Sequence, residues 1–107
     1  ARIIGACGPT TSSRMDDFVE PLLHQGVSAM IGKGRRSRWV RLAIKNHSAL
    51  YLLAPSGCGA LIAEKVVSKK LVAFKDLGPE AVYQLEVREL PLIVGIDAKG
   101  KSLYDDL

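Results

Sequence analysis

The stretch "GPTTSSRMDD" (Gly8–Asp17) separates an apolar run, "RIIGAC" (Arg2–Cys7), from "FVEPLLHQG" (Phe18–Gly26), which has the apolar spacing of a helix. The stretch holds two threonines, two serines, one arginine and two aspartates, and its one large apolar side chain is Met15. A buried strand that enters a helix through a polar corner predicts an α/β domain.

The rest of the chain continues this alternation. Four more apolar runs have the length of strands, namely Val27–Gly32, Ala49–Ala54, Leu71–Phe74 and Leu92–Ile96. Helical patterns cover Asp17–Gln25, Ser37–Asn46, Cys58–Val67 and Pro79–Val87. The turn signal at Asp97–Gly100 predicts a hairpin into Ser102–Tyr104. We expect a single α/β domain over residues 1–107, with strands buried on both faces in a core of Val, Ile, Leu and Ala.

Composition restricts the class of protein. The net charge of +4 suits anionic ligands, but aromatic residues make up only 6% of the chain, too few to predict nucleic-acid binding. Cys7 and Cys58 are too few for a disulfide scaffold or for the thiolates of an iron–sulfur cluster. No apolar run reaches the length of a membrane span, and we expect no signal peptide at the start of the chain. We expect a cytoplasmic protein without a metal site of its own.

Three loops combine polar chemistry with a position between a predicted strand and a predicted helix. They are Gly8–Arg14, Gly32–Ser37 and Ala54–Ala60. Ligands of open α/β sheets gather where strands end and loops enter helices. Each loop is therefore a candidate part of one binding site.

The first loop has two interpretations. Ser12 or Ser13 can cap the following helix, with Asp16 or Asp17 completing a capping box. Capping leaves Thr10, Thr11 and Arg14 unexplained, whereas an anion site would use both the hydroxyls and the guanidinium fork. The stretch alone leaves both interpretations open.

The second loop places Lys33 between two glycines, which permit close backbone approach to a ligand. Its spacing is not that of a Walker A loop, and a solvated lysine in a turn is the simpler interpretation. The arginines that follow are expected to form a solvated or partner-facing side of a helix; they are Arg35, Arg36, Arg38 and Arg41.

Four stretches together resemble a known family. They are "GPTTSSRMDDFVEPLL", "AMIGKG", "APSGCGALIA" and "DLGPEAVYQLEVRELPLIVGIDAKG". In this order they resemble the β-type, C-terminal domain of class I fumarate hydratases and L-tartrate dehydratases. The pair "GPTTxxRMD" and "GKG" is specific, and the resemblance runs over nearly the whole chain. It implies a swivelling β/β/α fold with a mixed sheet.

The resemblance also implies an activity and its partners. It implies a hydro-lyase that interconverts fumarate and L-malate with a 4Fe–4S cluster. The cluster is held by cysteines of an α subunit or N-terminal domain, and neither cysteine of this chain lies at a position that the family uses. The β-type domain closes over the cluster, so the resemblance implies an oligomer or a two-domain chain that binds a small dicarboxylate. Carried over by position, Thr10 resembles the proton-transferring base, and Arg14, Lys33 and Thr11 resemble substrate-binding residues.

The chain departs from the family pattern in two ways. The family's domain extends further upstream, with another substrate-contacting arginine and a histidine, so we expect the chain to be truncated before Ala1. The stretch "PSGCGAL" is closer to tartrate dehydratases, whereas "DLGPEAVYQLEV" and "IDAKG" are closer to fumarases. The substrate therefore stays open between fumarate and tartrate, and a non-enzymatic module that binds small anions or a partner protein is the alternative of another class.

Overall fold

A computed structural model describes residues 12–54, 59–80 and 82–106. These residues belong to two compact units. The first unit takes its described residues from Pro9–Ser56 and Leu92–Leu107, and the second takes them from Gly57–Pro91. The predicted strand Arg2–Cys7 lies outside the described residues.

The first unit is an α/β sandwich of helices on a small mixed sheet. It begins with a 3₁₀ helix at Ser12–Phe18 and contains, in chain order, α1 (Val19–His24), β1 (Ala29–Gly32), α2 (Arg38–His47), β2 (Leu50–Leu53), β5 (Ile93–Ile96) and a last 3₁₀ helix (Leu103–Asp106). The sheet order is β1-β2-β5, with β1 and β2 parallel and β5 antiparallel to β2. The expectation of an α/β fold with a mixed sheet is confirmed.

Helix α2 forms where its apolar spacing and its ends predict a helix. Val40, Ala43 and Ile44 follow the i, i+3, i+4 spacing and are buried. The helix ends at Ser48, whose left-handed φ of 52° lets the amide of Ala49 donate to the carbonyl of Ile44 at 2.9 Å. The predicted helix Ser37–Asn46 is therefore confirmed within a residue at each end.

The core of this unit lies between the two helices and one face of the sheet. Val19 and Leu23 of α1 join the buried residues of α2, while Tyr51 and Ile96 fill the core from β2 and β5. Glu20 and His47 also connect the two helices at the surface, with Oε1 and Nε2 3.0 Å apart. One sheet face is thus covered by helices.

The other face of the sheet corrects our expectation that the strands are buried on both sides. Ile31, Leu52 and Val94 are paired neighbours across β1, β2 and β5, so their side chains share this face. Ile31 and Val94 are about half exposed. Both helices pack on the opposite face, which leaves this apolar row without cover from the described part of the unit.

The predicted hairpin after β5 is confirmed in its turn and its first partner. Gly100 donates to the carbonyl of Asp97, and Ser102 pairs with Ile96 in an antiparallel bridge. After Ser102 the chain forms the last 3₁₀ helix instead of a longer strand.

The second unit contains α3 (Gly59–Glu64), β3 (Val66–Ala73), a 3₁₀ helix (Lys75–Glu80) and β4 (Val82–Val87). Strands β3 and β4 pair as an antiparallel ribbon. Two predictions are wrong here, because the helix predicted at Pro79–Val87 is a strand from Val82, and the helix predicted to reach Val67 ends at Glu64. The side chains explain the strand, since Tyr83, Leu85 and Val87 alternate with polar residues, which is the period of a strand and not of a helix.

The packing of α2 predicts a contrast between two of its aliphatic residues. Ile44 is completely buried, whereas Leu42 of the same helix is 54% exposed. Ile44→Ala should lower the free energy of unfolding by about 2–5 kcal/mol, because it removes buried surface and leaves a cavity. Leu42→Ala, the matched control, should change it by less than about 0.5 kcal/mol. Urea unfolding followed by circular dichroism measures both; equal losses would contradict this core.

Candidate functional site

The hydroxyl-rich stretch and the Gly-Lys-Gly loop meet at Ser12. Ser12 opens the first 3₁₀ helix, and Lys33 follows directly after β1. The backbone amide of Lys33 donates to Ser12 Oγ at 2.8 Å, and the amide of Ser12 donates to the carbonyl of Lys33 at 3.4 Å. These two bonds join two of the three loops in which the sequence predicts ligand-binding residues.

Gly32 makes this meeting possible through its missing side chain. A methyl group on Gly32 would overlap Ser12 Oγ and would lie 2.9 Å from Ser12 Cβ. Its backbone is ordinary strand, so close approach, and not a left-handed conformation, requires the glycine.

The predicted site residues have different positions in the structure. Arg14 lies in the first 3₁₀ helix with its side chain exposed, and Lys33 is half-buried in the loop after β1. Thr10 and Thr11 lie outside the described residues, as does most of the loop Ala54–Ala60. The structure thus describes the two predicted carboxylate-binding cations and the contact between their segments.

Ser12 does not have the capping role that the sequence suggests. Helix α1 begins after Phe18, and its N-terminus has no side-chain capping bond. The Ser12 hydroxyl instead accepts the amide of Lys33, a partner far along the chain. The capping interpretation of Ser12 is therefore wrong.

Asp16 binds the Lys33 loop from the first 3₁₀ helix. Its Oδ1 lies 2.6 Å from Arg36 Nε, and its Oδ2 accepts the backbone amide of Ser37 at 2.8 Å. Asp16 is 6% exposed and the Arg36 side chain 3% exposed. The expectation that Arg36 lies on a solvated surface is wrong, and so is a capping-box role for Asp16 within its own helix.

Ser37 precedes α2, and its own hydroxyl makes no capping bond to that helix. The carboxylate of Asp16 satisfies the Ser37 amide, one of the amide donors that a helix start leaves without an intrahelical partner. A negative group at this end also interacts favourably with the helix dipole of α2. The carboxylate of Asp16 therefore fixes the point at which the loop enters α2.

Tyr51 completes the contacts of the loop from β2. Its hydroxyl donates to the carbonyl of Gly34 at 3.0 Å, and the guanidinium of Arg36 lies 4.8 Å from the centre of its ring. Burial raises the pKa of the Tyr51 phenol above its ordinary value of 10.0, and the Ser12 hydroxyl and the Arg36 charge offset this only in part. The phenol is therefore a neutral donor at physiological pH.

The two joined segments carry two cationic side chains. They are the guanidinium of Arg14 and the ammonium of Lys33, on two segments that are hydrogen-bonded to each other. A guanidinium binds a carboxylate with two parallel bonds, and an ammonium binds it as a point charge.

The sequence has fewer cysteines than usually hold an iron–sulfur cluster. Such clusters are held mainly by several cysteine thiolates, and this sequence has Cys7 and Cys58 only. In the part of the chain that the structure describes, no group of three or more His, Cys, Asp and Glu side chains is placed to hold a metal ion. The same residues include no helix that is long and apolar enough to cross a membrane.

Comparison with known proteins identifies the class. The sequence matches the family described as Fumarase C-terminus over residues 1–107, and the chain belongs to this family. The resemblance found in the sequence is thereby confirmed.

Individual relatives carry two kinds of name. A Methanocaldococcus jannaschii protein provisionally named L(+)-tartrate dehydratase subunit beta is 42% identical over 104 residues, 94% of this chain and 53% of its own length. The aerobic class I fumarate hydratase of Escherichia coli K12 is 37% identical over 105 residues, 96% of this chain and 19% of its own. The L(+)-tartrate dehydratase subunit beta of the same strain is 37% identical over 99 residues, 90% and 49% of the two chains. The chain spans about half of the named β subunits and about a fifth of that fumarate hydratase.

The buried phenol predicts how stability depends on pH. Folding raises the pKa of the Tyr51 phenol, so the folded state favours the protonated form. The stability that the protonated phenol contributes is therefore fully present below the pKa of the unfolded state, and it is lost as the pH rises through the pKa of the folded state. Below pH 10.0, Tyr51→Phe should lower the free energy of unfolding by about 1 kcal/mol, because the carbonyl of Gly34 loses its donor.

Above that pH the difference between the two proteins should shrink, because the wild-type phenol ionises and the variant has none. Urea unfolding at about pH 8 and about pH 11 measures the difference. Tyr83→Phe is the control, since the Tyr83 hydroxyl makes an exposed bond of the same kind to the carbonyl of Gly78 at 3.1 Å. A difference that grows at alkaline pH would contradict the role given to Tyr51.

Proposed function

We propose that this chain is the β-type part of an iron–sulfur hydro-lyase that interconverts fumarate and L-malate. The observation that carries the proposal is the hydrogen-bonded contact of the Arg14 segment with the Lys33 loop, in a member of the fumarase C-terminus family. A dicarboxylate needs two cationic contacts, and this contact brings together the two segments that carry them.

Arg14 and Lys33 bind the substrate carboxylates in this proposal. Hydration adds a hydroxyl to one carbon of the double bond and a proton to the other, and the reverse reaction removes both. In the reverse direction the departing proton leaves a carbon next to a carboxylate, where negative charge develops. A fixed cation at that carboxylate stabilises the developing charge more than it stabilises the substrate.

Thr10 has the task of moving that proton, and Thr11 contributes to substrate binding. A neutral hydroxyl is a weak base, so the Thr10 oxygen needs a neighbour that accepts its own proton. Its place in the sequence, four residues before Arg14, supports a position close to the bound carboxylate.

The cluster belongs to a partner domain or α subunit in this proposal. Beta-subunit names among the relatives support such a partner, and the two cysteines of this chain support a cluster held elsewhere. The assembled enzyme is an oligomer or a two-domain chain in the cytoplasm. The chain itself forms a domain of the swivelling β/β/α type in this proposal.

A second candidate, L-tartrate dehydration, is favoured by one comparison. The M. jannaschii β subunit named for tartrate is 42% identical to this chain, against 37% for the fumarate hydratase. Steady-state rates of the assembled enzyme on fumarate and on L-tartrate decide between the two. Binding of dicarboxylates with no turnover of either would instead support a non-enzymatic anion-binding module.

Three substitutions test the assigned residues in the assembled, cluster-loaded enzyme. Thr10→Val should lower kcat by about 10²–10⁴-fold with little change in KM, because it removes a group that moves a proton. Arg14→Lys and Lys33→Met should raise KM as well as lower kcat, because each weakens a carboxylate contact.

The matched control is Lys45→Met, which removes an exposed lysine of α2. Its kinetics should equal those of the wild type. Normal kinetics for Thr10→Val at an unchanged melting temperature would contradict proton transfer by Thr10.

The chain without its partner should bind no cluster and should not hydrate fumarate. The reason is its two cysteines, against the three or more thiolates that a cluster requires. Anaerobic reconstitution with iron and sulfide, followed by absorption spectroscopy and a fumarate hydration assay, measures this.

The same reasoning extends to the assembled enzyme, where Cys7→Ser and Cys58→Ser should both keep the cluster spectrum. A cluster with turnover in the chain alone, or loss of the cluster in either folded variant, would show that this chain supplies ligands.

A further inference from the structure

Two elements, the first 3₁₀ helix and β2, hold the segment between β1 and α2, from Lys33 to Ser37, at three points. The first 3₁₀ helix binds its beginning through Ser12, β2 binds its middle through the Tyr51 hydroxyl, and Asp16 binds its end. A loop of five residues held at three points loses most of its conformational freedom before any ligand arrives.

Among the residues that hold this segment, Asp16 is a charged residue that is nearly buried. Its carboxylate is nearly buried and divides its two oxygens between the Arg36 side chain and the Ser37 amide. A buried carboxylate is tolerated only when charge and hydrogen bonds compensate it, and both compensating groups belong to the Lys33 segment. Removal of the Asp16 charge therefore acts directly on the Lys33 segment, because Arg36 and Ser37 lose part of their binding partner.

The position of Asp16 in its own helix extends this influence. Asp16 and Arg14 lie in the same 3₁₀ helix, Ser12–Phe18, two residues apart. The carboxylate therefore fixes the segment that carries Lys33 relative to the helix that carries Arg14.

We propose that Asp16 is a positioning residue of the substrate site, which sets the place of Lys33 relative to Arg14 without touching the substrate. The proposal rests on the substrate-binding roles of these two cations given above. Because Asp16 and its partners fix the loop in advance, a carboxylate that binds Lys33 does not have to order it.

The main test is Asp16→Asn in the assembled enzyme. The amide keeps the shape and one oxygen acceptor for the Ser37 amide, but it removes the charge opposite Arg36. The proposal expects kcat/KM to fall by about 10–100-fold, since small displacements of binding groups have effects of this size. Hydrogen exchange of the Lys33 and Ser37 amides should become about 10-fold faster or more.

Asp105→Asn is the matched control. Asp105 pairs with Arg41 at 2.7 Å, against 2.6 Å for Asp16 with Arg36, but the side chains of Asp105 and Arg41 are both about one-third exposed. This variant should leave the kinetics and the exchange of the Lys33 segment unchanged. A general effect of losing one Arg–Asp pair would instead appear in both variants.

The Lys33→Met background separates positioning from a structural role. If Asp16 acts through Lys33, then Asp16→Asn should add little to the kinetic loss of Lys33→Met, and the combined loss should be far below the product of the two single losses. Independent, multiplying losses would overturn the proposal, and so would wild-type kinetics for a folded Asp16→Asn.

Ser12→Ala gives a second, milder variant in case Asp16→Asn does not fold. It removes the acceptor of the Lys33 amide and leaves the ion pair intact, so it should speed exchange at Lys33 and raise KM. Unchanged KM with faster exchange would overturn the link between loop order and binding. Normal kinetics for Lys33→Met would overturn the proposed role of Lys33 itself, and the positioning role with it, whereas an impaired Lys33→Met beside a normal Asp16→Asn overturns positioning alone.

Discussion

The ion pair of Asp16 and Arg36 is the interaction on which the rest of the candidate site depends. Transfer of two charged groups out of water costs several kcal/mol for each ion, and a short contact between them offsets this cost only with good geometry and further hydrogen bonds. Here the Ser37 amide donates a hydrogen bond to the second oxygen of the Asp16 carboxylate, and the ring of Tyr51 packs against the Arg36 guanidinium. The first 3₁₀ helix, the loop after β1 and strand β2 must keep one arrangement for all of these contacts to form together.

The regular elements of the first unit could be predicted because each has a local signal. Helix α2 shows its buried stripe in the sequence, and β1, β2 and β5 are short apolar runs next to turn residues. Local signals gave the wrong prediction at β4. Pro79 is a typical first residue of a helix, but Tyr83 and Leu85 alternate with polar residues, which is the pattern of a strand. Pairing with β3 makes use of that alternation in part, because Tyr83 lies opposite Leu71 and Val87 opposite Val66, whereas Leu85 lies opposite Lys69.

The contacts of the site could be predicted only in part. The residue types of "GPTTSSR" and "GKG" indicated anion chemistry, and a common site for both loops was expected because ligands of open α/β sheets gather where strands end and loops enter helices. No local pattern, however, connects Asp16 with Arg36, because charged residues far apart in sequence have no shared period. Ser12 misled for a related reason, since a serine before a helix is usually a cap, and here it binds a backbone amide of another segment.

The close approach of Gly32 to Ser12 has a consequence for sequence divergence. Any side chain at the glycine position would occupy the space of the serine hydroxyl, and the serine would then lose the Lys33 amide. The two positions therefore cannot drift independently during evolution. A lineage that replaces Gly32 must also accept a different residue at position 12 and a different way to fix the lysine loop, so co-variation of these two positions among homologues would mark where the loop has been rebuilt.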